Sequence, residues 1–374
     1  MFLQQLSLSH YRNYDSYHLE TERYVNLLVG PNAQGKTNLL EAIFVMALTK
    51  SHRTSQEKEL IQWNQEAAQL HAVVDKKYGP CKLDLLLTHK GKKAKVNGLE
   101  QRKLSGFIGS LNVVMFAPED LDLVKGAPGV RRRFLDMEIG QVYPGYLYDL
   151  SQYQRALQQR NNLLKQPGAT AAGIAAMLDV WDEQLAQFGT KIMQKRQSFI
   201  KKLQTWAEHI HSGITNGAEQ LRLAYKPSFE FDENGEQSVL FNQFMIKLSQ
   251  MREQEIRRGQ TLAGPHRDDV LFAINGKDVQ TYGSQGQQRT TALSVKLAEI
   301  ELIHQEIGEY PLLLLDDVLS ELDQSRQTQL IATFQNKVQT FITTTGLEGV
   351  RHQQLDEATV FHVFGGTIEK VTTL

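Results

Sequence analysis

Gly30-Pro31-Asn32-Ala33-Gln34-Gly35-Lys36-Thr37 constrains this chain more than any other stretch. It fits the pattern G-x-x-x-x-G-K-[ST], and its flanks agree. Tyr24 to Val29 is an apolar, β-branched strand, and Asn38 to Phe44 opens a helix. Strand, glycine-rich loop and helix form the context in which this pattern cradles phosphate. Glycines let backbone N–H groups turn inward onto phosphate oxygens, and the helix N-terminus adds partial positive charge. Lys36 is expected to reach the β- and γ-phosphates of a nucleotide, and the Thr37 hydroxyl to hold Mg²⁺. A chance match in a tight turn is the alternative, and the flanking elements argue against it.

A second stretch supplies what such a loop lacks. Pro311-Leu312-Leu313-Leu314-Leu315-Asp316-Asp317 is an apolar strand ending in two carboxylates. Leucines of this kind are buried in a parallel sheet, and the acids emerge at its C-terminal end, where ligands bind. Asp316 is expected to hold Mg²⁺ through water, and Asp317 to orient or deprotonate an attacking water. Upstream, Ser284-Gln285-Gly286-Gln287-Gln288-Arg289 precedes a helix expected over Thr290 to Glu301. A serine and a glycine at a helix start make a second anion-binding device. The plainer reading is a serine N-cap with a glycine in the loop.

The rest of the chain sets limits. With 374 residues it holds about two domains, or one large one with an insertion. Hydrophobic residues are 41%, enough for a real core, and a net charge of −1 confines any nucleic-acid surface to a local patch. Cys81 is the single cysteine, which excludes an internal disulfide and a cysteine-based zinc site. The first residues lack a signal peptide's basic start and long apolar core, and no apolar run approaches a membrane span. A soluble, cytoplasmic protein with no membrane partner is expected.

Strands are expected over Gln69 to Asp75, Lys82 to Thr88, Lys93 to Val96, Val113 to Ala117, Leu221 to Phe231 and Val270 to Ile274. A helix is expected from Thr37 to about Leu48. Lys92-Lys93-Ala94-Lys95 reads as a solvated turn. Glu119 to Gly217 carries helical period. Leu178, Trp181, Leu185, Phe188, Ile192, Phe199, Leu203, Trp206 and Ile210 recur at spacings of three, four and seven. Pro167-Gly168 divides this stretch, so an antiparallel helical pair is expected. Glu236 to Arg258 is expected to be helical again.

These motifs carry a family resemblance. Gly30 to Thr37 resembles a Walker A motif, Ser284 to Gln288 the ABC-type signature, Leu312 to Asp317 Walker B, and Ser320-Glu321-Leu322-Asp323 the D-loop. Their order, with a large insertion, resembles the ABC ATPases of chromosome maintenance such as the SMC proteins. Within that group the chain is most similar to the RecF family of bacterial recombination mediators. Tyr11-Arg12-Asn13-Tyr14, Phe116 to Leu121, Gly126 to Asp136 and Leu262 to Asp269 carry this narrower match.

The resemblance implies an α/β fold. An ABC-type ATPase head, a mixed sheet with the phosphate loop, is expected over 1–118 and 261–374, and a mainly helical arm lobe over 119–260. It implies ATP and Mg²⁺ as cofactors and an ATP-dependent homodimer. In that dimer Ser284, Gln285 and Gly286 of one subunit close over the nucleotide held by Gly30 to Thr37 of the other. It further implies double-stranded DNA and single-strand/double-strand junctions as partners, and RecO and RecR, with which such proteins load RecA.

Two departures bear on rate. Asp317 stands where many ABC ATPases carry Glu, and Thr343-Thr344-Thr345 offers a hydroxyl where transporters carry a switch histidine. Slow, DNA-stimulated turnover is therefore expected. Arg12 is a candidate at the phosphates, and Tyr11 or Tyr14 at the adenine. Arg131, Arg132, Arg133, Arg257, Arg258, Lys92, Lys93 and Lys95 are candidate DNA contacts; against them stands intramolecular ion pairing, with Asp136 and Glu138 just after Arg131 to Arg133. His266 reads as structural for want of a second ligand at metal spacing. A transporter ATPase subunit and an ATPase-linked nuclease are the alternative functions.

Overall fold

Val25–Val29 (β3) is apolar or buried at every position, which suits a strand covered on both faces. In the computed structural model it lies inside a six-stranded sheet. The structure describes residues 1–166, 172–232, 235–319, 327, 330–331, 337–346 and 358–371. The Pro167-Gly168 break and the Ser320 to Asp323 motif lie outside them.

The described chain forms two compact units. The first comprises Met1–Leu121, His209–Ala218 and Arg289–Leu374. It begins with β1 (Phe2–Tyr11) and β2 (Tyr14–Glu20), and after β3 comes α1 (Lys36–Leu48). Next are β4 (Ala67–Lys76), β5 (Gly79–Thr88), β6 (Gly91–Val96), β7 (Leu99–Glu100) and β8 (Val113–Phe116). The strands β2-β1-β4-β5-β6-β7 make an antiparallel sheet. Nearly every residue of α1 is buried, and it touches β1 and β4 of that sheet and β8 of the other. A helix apolar all round is one enclosed on both sides.

The second unit comprises Asp122–Glu208 and Glu219–Gln288. It carries α2 (Asp122–Lys125), α3 (Pro128–Val142), α4 (Pro144–Leu164) and most of α5 (Ala172–Ile214). Tyr148 meets Phe188, Asp149 pairs with Lys191, Arg160 with Asp182, and Leu163 and Leu164 cluster with Leu178. From the start of α4 to its end the partners step back along α5, from Phe188 and Lys191 to Asp182 and Leu178, so the two helices run antiparallel. Leu178, Leu185, Ile192, Phe199 and Leu203 are buried, so the heptad-like stripe is core packing.

The unit also contains β9 (Leu221–Lys226), α6 (Gln237–Arg258), β10 (Asp269–Ile274), β11 (Lys277–Asp278) and α7 (Val279–Tyr282). β9 stops at Pro227, short of the expected Phe231, because proline lacks the ladder's N–H. β10 pairs antiparallel with β9, and this long-range pairing groups residues 261–288 with the helical stretch.

The chain closes with α8 (Gln285–Ile307), β12 (Leu312–Leu315), β13 (Thr340–Thr344), β14 (Thr359–Phe364) and β15 (Thr367–Val371). The second six-stranded sheet has the order β15-β14-β3-β13-β12-β8, parallel except for β15. β13 therefore separates the strand that feeds the loop from the strand that ends in Asp316. Among the described residues no helix is long and apolar enough to cross a membrane.

The Lys92 to Lys95 segment is a strand and not a turn, with Lys93 and Lys95 exposed as expected. It lies in β6, with Ala94 buried. Lys92 is enclosed, pairs with Glu57 at 2.5 Å and donates to the Thr49 carbonyl.

Candidate nucleotide site

The loop between β3 and α1 is shaped by two left-handed residues. Ala33 has φ 65° and Gly35 φ 114°, the latter at the N-cap of α1. Alternation of this kind turns successive N–H groups to one side and makes an anion nest. Gly30 is glycine for another reason: a Cβ there would lie 2.3 Å from the Val363 carbonyl oxygen of β14.

Lys36 is the first residue of α1 and only 8% exposed. Its Nζ donates to the carbonyls of Gly30 at 2.5 Å and Pro31 at 2.8 Å. Burial pulls its pKa down, partly offset by Asp317 and Asp316. Thr37 Oγ1 donates to Asp316 Oδ1 at 3.0 Å, and Thr343 Oγ1 donates to the same oxygen at 2.8 Å. The N–H of Asp317 donates to Thr343 Oγ1 at 2.8 Å. Asp317 has φ 53°, unusual away from glycine and a mark of local strain at functional sites. Thus the folded chain gathers Lys36, Thr37, Asp316, Asp317 and Thr343. A hydroxyl and a carboxylate 3.0 Å apart form an all-oxygen donor set, which suits Mg²⁺.

Support comes from β1, β2 and the segment after α1. The Tyr14 hydroxyl donates to the Gly35 carbonyl at 2.9 Å, and Asn13 Nδ2 to the Gln34 carbonyl at 3.2 Å. Tyr11 and Tyr14 are both fully buried, so neither presents a face to an adenine. Arg12, a candidate phosphate ligand, instead lies on α1. Its Nε and Nη2 each meet Glu41 at 2.7 Å, and its Nη1 donates to the Glu59 carbonyl at 2.9 Å.

Glu41 is 0% exposed. Burial pushes its carboxyl up, but hydrogen bonds from Arg12 and Ser51 outweigh that and hold it below the ordinary carboxylate range. Arg12→Ala is expected to cost about 3 kcal/mol of folding stability, because it strands a buried carboxylate. Denaturant unfolding of the nucleotide-free protein checks this. Unchanged stability with weakened ATP binding would return Arg12 to the phosphates.

Beside this support lies a cleft of about 730 Å³ whose lining includes Asn13, Asn38, Arg53 and Trp63. Trp63 is 90% exposed. The signal for it was a tryptophan inside the polar run Gln62-Trp63-Asn64-Gln65, outside any apolar stripe.

Ser284, Gln285 and Gly286 belong to the second unit. The helix starts at Gln285, five residues before the expected Thr290. Ser284 Oγ accepts from the Gln287 N–H at 3.2 Å, and the Ser284 N–H donates to Gln287 Oε1 at 2.9 Å. This reciprocal pair is a capping box, so the serine is an N-cap as well as a candidate ligand. Ser284 and Gln285 are exposed, as is Tyr282 just upstream.

The arginine candidates divide. Arg131 is 2% exposed and forked onto Asp269 at 2.6 and 3.0 Å, with a further bond to the Gly126 carbonyl at 2.7 Å. It is a fold element and not a surface contact, and its partner is neither Asp136 nor Glu138. Asp136 is taken by Arg196 at 2.7 Å. Arg132 is half-buried and donates to the Asp268 carbonyl at 2.8 Å. Arg133, Arg257 and Arg258 are exposed. His266 bonds Tyr153 at 2.6 Å, and burial lowers its pKa to about 4, so it is neutral and structural near neutrality.

A parallel sheet with a phosphate loop after β3 and an acid-ended strand two places away defines a P-loop ATPase. The fold is shared with the Smc head domain from Pyrococcus furiosus, at a TM-score of 0.55 and 13% identity over 99% of this chain and 96% of that one. The RecF/RecN/SMC N terminal domain matches residues 2–366. The chain belongs to the RecF family of DNA replication and repair proteins. It is 55% identical to the DNA replication and repair protein RecF of Bacillus velezensis, over 99% of this chain and 100% of that one. It is also similar to the solved recombination mediator protein RecF-ATP of the RecFOR pathway. There the TM-score is 0.90, at 32% identity over 99% of this chain and 98% of that one.

Proposed function

We propose that this protein is a slow, DNA-stimulated ATPase of recombinational repair and replication, working in the cytoplasm as an ATP-dependent clamp. The observation that supports it most is the meeting of Thr37, Asp316 and Thr343 around one carboxylate oxygen beside Lys36. Gly30 to Thr37 hold the phosphates through backbone N–H groups and Lys36. Thr37 and Asp316 hold Mg²⁺, which when bound neutralises phosphate charge. Asp317 orients the attacking water; its short side chain favours slow turnover and a switch over a motor.

A second copy completes the site. Ser284, Gln285 and Gly286, an exposed helix start, close over the nucleotide held by the partner, so ATP joins two heads and hydrolysis releases them. The 119–260 region serves as the arm lobe and the remainder as the head. The dimer holds double-stranded DNA near single-strand gaps, with Arg133, Arg257 and Arg258 as contacts, and works with RecO and RecR to load RecA. RecF belongs to the RecFOR pathway in the similar solved structure, which supports those partners.

Light scattering of the full chain tests this. Mass is expected to double with ATP, more readily with ATP plus duplex DNA, and to stay monomeric with ADP. A mass indifferent to both nucleotide and DNA would end the clamp reading.

A further inference from the structure

We propose that the turn of the C-terminal β-hairpin, Gly365-Gly366, is a positioning element of the phosphate loop; this rests on reading that loop as the nucleotide site. The turn joins β14 to β15 and lies against Gln34, 331 residues away in sequence. The Gly365 N–H donates to Gln34 Oε1 at 2.8 Å, and the Gly366 N–H to the Gln34 carbonyl at 3.1 Å. Asn13 Nδ2 reaches the same carbonyl, and the Tyr14 hydroxyl takes the next one along, at Gly35.

A trans peptide points its N–H opposite to its C=O. Drawing the Gln34 carbonyl toward the hairpin therefore turns the Gly35 N–H the other way, and drawing the Gly35 carbonyl toward Tyr14 does the same for the Lys36 N–H. These are the donors a phosphate needs. The loop's donor face is thus set by acceptors tied down on its outer side.

The fit is close. A Cβ on Gly366 would lie 2.4 Å from the Asn13 carbonyl oxygen, and one on Gly30 would lie 2.3 Å from the carbonyl oxygen of Val363, in the strand that leads into the turn. Gly366 also has φ 80°, in the left-handed region. Gly276, in the turn between β10 and β11, has nearly the same angle, φ 78°, but open space around it. It is a control for backbone strain without contact to the loop.

The test compares Gly366→Ala with Gly276→Ala in the full chain. The ¹⁵N order parameters of the Gly35 and Lys36 amides are read by NMR in nucleotide-free protein, and ATP affinity by calorimetry. Losing about one hydrogen bond's worth of restraint should lower the order parameters of those amides below the rigid-backbone range and weaken ATP binding roughly tenfold. Gly276→Ala should match the wild type in both. Wild-type order parameters at the two amides in Gly366→Ala overturn the proposal. If Gly366→Ala does not fold, Gln34→Ala, which removes the Oε1 acceptor together with the Nε2–H bond to the Asn32 carbonyl, should still lower them; unchanged order parameters overturn the proposal equally. Failure of the wild type to bind ATP would sink the nucleotide reading instead, while the order-parameter comparison would still decide the clamp on the loop.

Discussion

Ser284→Arg should remain monomeric in ATP while binding ATP as tightly as the wild type. Ser284 sits on an exposed helix start in the second unit, whereas Gly30 to Thr37 belong to the first. Under the composite-site reading its hydroxyl and the neighbouring N–H groups meet the partner's nucleotide, and a long side chain there holds the two heads apart. The substitution also removes an N-cap, because Ser284 Oγ accepts from Gln287 N–H at 3.2 Å. That loss costs about 1 kcal/mol of helix stability. Ser284→Asn restores a capping side chain without restoring the serine, so it separates the two effects. Both variants should lose ATP-dependent doubling of mass in light scattering, and only Ser284→Arg should also lose thermal stability. A Ser284→Arg protein that dimerises with ATP like the wild type would show that the signature stretch is only a helix cap.

The second large effect is expected at Lys36. Lys36→Met keeps most of the aliphatic stem and removes the ammonium that donates to Gly30 and Pro31 at 2.5 and 2.8 Å. In the bound state those donors pass to phosphate oxygens. Hydrogen bonds to charged groups contribute about 1.5–3 kcal/mol each. Losing two weakens ATP binding by roughly a hundredfold or more, at about 1.4 kcal/mol per tenfold. Calorimetry would measure this directly, and the ATP-dependent change in mass should vanish with it. Stability should change little, because the lysine ties down only local carbonyls. ATP affinity within a few-fold of wild type would remove the loop from the nucleotide site.

How much of this was legible beforehand differs from element to element. The phosphate loop, α1 and β12 follow from short-range pattern. Their glycine spacing, apolar runs and terminal acids act through the backbone of a few consecutive residues. The heptad-like stripe from Leu178 to Leu203 is equally local, since period alone assigns its buried face. Partner choice is less local. Arg131 has Asp136 and Glu138 within a few residues, yet it pairs with Asp269, and Asp136 goes to Arg196. Arg12 stands next to Asn13 and Tyr14 at the loop, yet its charge neutralises Glu41 inside α1.

The sequence by itself determined the class of site: a β-strand, a glycine-rich loop and a helix, matched to an acid-ended strand. These are properties of contiguous residues and of the conformations they allow. Only the tertiary structure decided which residues surround that loop. The insertion of β13 between β3 and β12 brings Thr343 to Asp316. The closing of β14 and β15 beside β3 brings Gly365 and Gly366 to Gln34. Such contacts join residues tens to hundreds of positions apart. They arise because each buried charge and carbonyl takes the partner that the packed sheets leave within hydrogen-bond reach.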